Sequence, residues 1–160
     1  MEVATRPRRW LGAAAALLLA SALIAGCGGS SKESKFKDGF KRVNTELVTL
    51  GQDVGTAVNG ARGTPDTVLA RQFNGFAARL RAIKGRIADL DPPDNLKSKR
   101  DALSSAVDKL IADLQAIGTA ATNHKPDDAR LAATALVRDS QPAAEARRAL
   151  ARETGAKPNP

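Results

Sequence analysis

Two side chains in this sequence could do covalent or acid–base chemistry where they stand: the single cysteine, Cys27, and the single histidine, His124. A thiolate is a good nucleophile, and an imidazole changes charge near neutral pH. Neither has the company that catalysis needs. A nucleophilic triad sets a base beside a hydroxyl or thiol, but Cys27 closes an apolar run while His124 stands in the polar stretch Asn123-His124-Lys125. His124 reads as a helix-capping or surface residue. Ser and Lys are plentiful, yet nothing in their spacing points to a Ser–Lys pair. Metal and haem sites in helical proteins need a Glu-x-x-His pair or an axial His, Met or Cys at core height. After Cys27 there is no Met, and the glutamates are Glu33, Glu46, Glu145 and Glu153. The acidic groups Asp127–Asp128 beside His124, and Asp89, Asp91 and Asp94 around Pro92-Pro93, read as helix-start charges and turn formers rather than cation sites. The sequence therefore predicts no catalytic residue, no metal and no cofactor.

The elements that must position these residues follow from apolar spacing. Phe36, Phe40, Val43, Leu47, Leu50, Val54 and Ala57 step by four and three, as do Leu69, Phe73, Phe76, Leu80, Ile83, Ile87 and Leu90. Leu96, Leu103, Val107, Leu110, Leu114, Ile117 and Ala121 keep the rhythm, with Arg100 filling one gap. Such seams belong to helices packed at a shallow angle, not to strands. Thr64-Pro65-Asp66 supplies an N-cap, a proline for the first turn and an early acid. Pro92-Pro93 stops the second helix. A fourth seam (Ala132, Leu136, Asp139, Ala143, Ala146, Leu150) is weak in volume, and Pro142 threatens a kink. The fold expected is all-α, an up-down-up-down four-helix bundle, since short connections make sequential helices antiparallel neighbours. Three helices with a loosely docked Ala-rich fourth is the alternative.

This topology brings Arg62, His124, Lys125, Asp127 and Asp128 to the end of the bundle away from its start, where they form a possible contact surface for a partner. Gly51 and Gly55 have GxxxG spacing, in a helix too polar for a membrane; chance composition or a close helix crossing explains them. Arg100 and Asp139 are the two charges at seam positions, expected to turn outward over a packed stem.

Ahead of the helices stand Arg6, Arg8 and Arg9, then the apolar stretch Leu11 to Ile24, then Ile24-Ala25-Gly26-Cys27. A charged start and an apolar run are the order of a secretory signal, and the run is short for a spanning helix, which wants roughly 20 residues. Its ending resembles the lipobox of bacterial lipoprotein signal peptides. The resemblance implies cleavage between Gly26 and Cys27 and a diacylglyceryl group on the Cys27 sulfur, hence an exported protein anchored to the outer face of the cell membrane. An uncleaved anchor helix is the alternative. Two acyl chains hold a protein stably where one holds marginally.

On that reading the chain divides into a signal peptide at 1–26, a flexible lipidated tether at 27–34, a helical bundle at 35–155 and a disordered tail at 156–160. The precursor carries a formal charge of +8, and 22 basic and 16 acidic side chains remain after the leader. Basic and acidic residues interleave and the only aromatics left are four phenylalanines, which argues against nucleic acid, whose single strands stack on aromatic platforms. Lys32, Lys35, Lys37, Lys41 and Arg42 either add to membrane hold through anionic head groups or form a solvated helix start. The function expected is a lipid-anchored envelope module, binding or structural and not enzymatic, with an envelope protein as possible partner. The alternative is a lipoprotein that holds a small apolar or anionic ligand between its helices.

Overall fold

The computed structural model describes residues 27–157; the expected leader at 1–26, Gly26 included, and residues 158–160 lie outside them. Four helices follow one another: α1 (Cys27–Asn59), α2 (Asp66–Ala88), α3 (Lys97–Thr122) and α4 (Pro126–Thr154), with a 3-10 turn at Asp94–Leu96 before α3. There is no strand among the described residues. Consecutive helices pack side by side and α1 meets α4, which closes the bundle. Ion pairs give the direction of each helix. Lys32 of α1 reaches Asp91 in the α2–α3 connection (3.0 Å), and Lys99 at the start of α3 pairs with Glu153 at the end of α4. At the other end His124 meets Asp66 (2.7 Å). The arrangement is up-down-up-down.

The seams read from the sequence form the core. Phe36, Phe40, Val43, Leu50 and Ala57 of α1 are buried, as are Phe73, Phe76, Leu80, Ile83 and Ile87 of α2 and Leu103, Val107, Leu114 and Ile117 of α3. Phe36 and Phe40 stack with ring centroids 6.3 Å apart, while Phe73 and Phe76 meet edge to face at 5.8 Å. The fourth helix is a full member, with Leu136, Ala143 and Leu150 buried and its widest contact against α3. It runs unbroken through Pro142, so the three-helix alternative falls.

The boundaries need corrections. The expected tether at 27–34 is instead the opening of α1. Nucleating a helix is costly but extending one is not, so the turn anchored by Phe36 and Phe40 can carry Gly28–Ser31 as propagation; Glu33 and Lys37 add an i,i+4 pair at 2.6 Å. The tail expected at 156–160 is in part docked. Gly155 takes the left-handed conformation (φ 65°), and the Ala156 N–H donates to the Ala151 carbonyl at 3.1 Å. That is the six-to-one bond of a Schellman ending, in which the residue after the glycine packs back on the helix, and Ala156 is buried. Thr64 does not cap α2: its hydroxyl donates to the Gly60 carbonyl (2.9 Å) and closes the preceding turn.

Candidate functional site

Two of the four seams of the bundle are narrow. Helix α1 meets α2 and α4 less extensively than α3 meets its two neighbours, and along its second half a groove of about 310 Å³ opens between α1 and α4. Gly51, Val54 and Gly55 form one wall, Leu136 and Val137 the other, and Leu80, Leu110 and Leu114 of the two far helices form the floor. Asn59 and Ser140 are its polar contributors, and no charged side chain lines it.

The glycines make the room. A Cβ placed on Gly51 or Gly55 would meet nothing within 4 Å, so the close crossing considered for this pair is absent. Close approaches occur elsewhere. A Cβ on Gly39 would lie 2.6 Å from the Leu90 side chain, and one on Gly118 would lie 2.5 Å from the Asn74 amide. A helix-interior glycine costs up to about 1 kcal/mol relative to alanine, and here that cost leaves an open slot rather than a tight contact. The i,i+4 glycine spacing was visible in the sequence; which flank of α1 would stay uncovered was not.

One end of the α1–α4 seam is latched. Asn44 is 6% exposed, the best buried polar side chain of α1. Its Oδ1 accepts from Arg147 Nη1 of α4 at 2.9 Å, and its Nδ2 donates to the Lys157 carbonyl at 3.4 Å. Burial, with Arg148 nearby, presses the Arg147 guanidinium below its ordinary pKa. Sequence spacing missed Asn44 because it flanks Val43 rather than sitting on the apolar seam.

The expected distal-tip residues do come to one end. His124, with φ 54°, places Nδ1 2.7 Å from Asp66 Oδ2 and so ties the α3–α4 connection to the start of α2. Lys125 lies 3.8 Å from Asp128, and Arg130 pairs with Asp127 at 2.7 Å. Arg62 is exposed in the α1–α2 connection. These contacts stay on the surface and line no part of the groove. Among the described residues no group of three or more His, Cys, Asp or Glu is placed to hold a metal. Asp91 and Asp94 are partners of Lys32 and Lys97, the latter at 2.8 Å, and Lys97 holds the Asp94 carboxyl below its usual range.

The seam charges behave differently from each other. Arg100 Nη1 donates to the Ala88 carbonyl at the end of α2 (3.3 Å), a cation where helix-end carbonyls are left over. Its Nε lies 2.8 Å from Asp101, but by distance only, since the N–H does not point at that oxygen. Asp139 is held by Arg138 at 2.8 and 3.3 Å, which lowers its pKa. Across the α3–α4 seam Asp113 pays for this neighbour. Burial and then the Asp139 charge raise its pKa, with Arg138 opposing, and its Oδ2 is buried without a hydrogen bond. A raised carboxylate means the folded state binds the proton better than the unfolded chain. The destabilisation is thus full above the folded-state pKa and disappears as pH falls below the ordinary value of 3.8. Asp113→Asn will raise the melting temperature at pH 7, and the gain will vanish near pH 3. Melts at both pH values followed by circular dichroism check this; an equal gain at both would rule out the charge as its source.

Fold and groove together define a class: an all-α four-helix bundle with one uncharged, aliphatic slot between its first and last helices. In comparisons with known proteins, no family model, no curated protein and no solved structure matches the chain. No helix among the described residues is long and apolar enough to cross a membrane.

Proposed function

We propose that the protein is an exported, lipid-anchored envelope module that binds a ligand rather than transforming one, and that the α1–α4 groove is its binding site. The observation that carries the binding reading is the groove itself, about 310 Å³, at the lower end of the roughly 300–1,000 Å³ that ligand clefts occupy. Its aliphatic walls favour a small apolar ligand over a purely structural role. Anchoring rests on the sequence Leu23-Ile24-Ala25-Gly26-Cys27 and its resemblance to the lipobox. With α1 running from Cys27 to Asn59, an anchor at Cys27 would hold the bundle by the end opposite His124. Catalysis would require a nucleophile, base and oxyanion donors around one point, and the groove offers an amide and a hydroxyl.

Anchoring has a direct test. Cys27→Ala will release the protein from membranes or leave the leader uncleaved in its native host. The readouts are membrane fractionation and intact mass of the purified protein. An unmodified mass for the wild type, with membrane association unchanged in the variant, would overturn the anchor.

A further inference from the structure

We propose that the groove takes the hydrocarbon chain of a single-chain anionic amphiphile, a fatty acid or an equivalent mono-acyl species, with its head group at the Asn59 end. This deepens the binding reading above and rests on it. Three features of the slot choose the ligand. First, its walls are Leu, Val and Gly, with no aromatic ring to stack on a planar ligand. Second, it is long and narrow. Leu47 and Asn59, both in its lining, are twelve residues apart, about 18 Å of helix at 1.5 Å per residue. With C–C bonds of about 1.5 Å in a zig-zag that advances about 1.25 Å per bond, an extended chain of about fifteen carbons covers that length. Third, its ends differ in charge and polarity. Asn44, Arg147 and Lys157 close the seam beyond Leu47. The opposite end finishes at Asn59, and the next basic residue along the chain is Arg62, exposed and without a carboxylate partner among the described residues. The nearest basic groups of α4 at that end, Lys125 and Arg130, already face Asp128 and Asp127. At the latched end the Arg147 guanidinium is partly buried and already engaged by Asn44, so the open end, with Arg62 exposed beyond Asn59, is the one left to receive a carboxylate or phosphate head.

The own lipid of Cys27 is a poor occupant. Twenty residues of continuous helix separate Cys27 from Leu47, about 30 Å at the same rise.

The test uses residues 27–160, the chain expected after cleavage, with Cys27→Ser; all four helices contribute to its core cluster. A fluorescent polyene fatty acid is titrated, then displaced by saturated fatty acids of increasing length, by the matching primary alcohols and by a naphthalene-type probe. Affinity is expected to rise about three- to four-fold per added methylene and to level off once the chain outgrows the slot. Gly51→Leu with Gly55→Leu should weaken binding at least about ten-fold while the helical circular dichroism and melting temperature hold or rise. Arg62→Ala should weaken the acids several-fold and leave the alcohols unchanged.

Binding of the naphthalene probe, lost in the double leucine variant, without fatty-acid binding would overturn the aliphatic-chain inference and leave the groove standing as a ligand site. No binding of any probe would overturn both. A dimer in solution that the double leucine variant dissociates would mean that a second copy of the chain fills the groove, and would also overturn the proposal.

Discussion

Phe40→Ala will cost about 3–5 kcal/mol of stability, the range for removing a buried aromatic side chain. Phe40 is fully buried and stacks on Phe36. Two features put the loss at the upper part of that range. The described chain has four aromatic rings, and the one beside the hole, Phe36, is itself buried one turn away on the same helix, so moving it would only open a second hole. The neighbouring backbone is already tightly packed, since Leu90 lies against Gly39 closely enough that even a Cβ there would force it aside. Natural domains hold only about 5–15 kcal/mol in reserve, so the variant should melt far below the wild type in urea or heat. The loss will also be unequal in space. Helix α1 has the narrower seams and so should open first, and hydrogen exchange in α1 should accelerate more than in α3. A loss under about 1 kcal/mol, the scale of a surface substitution, would mean that α1 does not pack through this residue.

The same comparison between helices explains what was legible in advance. For α2 and α3 the apolar rhythm is unbroken enough that seam and core nearly coincide: Phe73, Phe76, Leu80, Ile83 and Ile87 are all buried, because only one face of each helix can bury so many branched residues. The fourth helix was legible only as a weak seam of alanines, yet those small residues let α4 approach α3 closely enough for the widest contact in the bundle. Volume in the sequence understated contact in space. What spacing could not reveal was a property of two helices at once. Gly51 and Gly55 mark small side chains on a flank of α1, but whether a neighbour closes on that flank depends on where α4 comes to rest. Asn44 was hidden for the same reason, since its partners Arg147 and Lys157 are 103 and 113 residues away. The helix ends were misread where cooperative extension carried Gly28–Ser31 into α1 and where Gly155 folded Ala156 back onto the core.

Asn44 is also where the second large effect is expected. Asn44→Ala will cost about 2–3 kcal/mol, because removing one partner strands the others: a half-buried guanidinium loses its acceptor and a carbonyl loses its donor. Hydrogen bonds to charged groups contribute about 1.5–3 kcal/mol, so the Arg147 contact should dominate. Packing and polarity can be separated. Asn44→Leu keeps the branching and heavy-atom count of the side chain but leaves Arg147 equally unpaired, and it should be about as damaging as alanine. Arg147→Met introduced with Asn44→Leu replaces both polar partners by apolar groups of similar shape, a change that is often close to neutral, and most of the lost stability should return. Chemical denaturation of the single and double variants closes the cycle and isolates their coupling. Additive losses, with no recovery in the double variant, would show that the pair is not a latch and that some other contact holds α4 against α1 at the end where the groove stops.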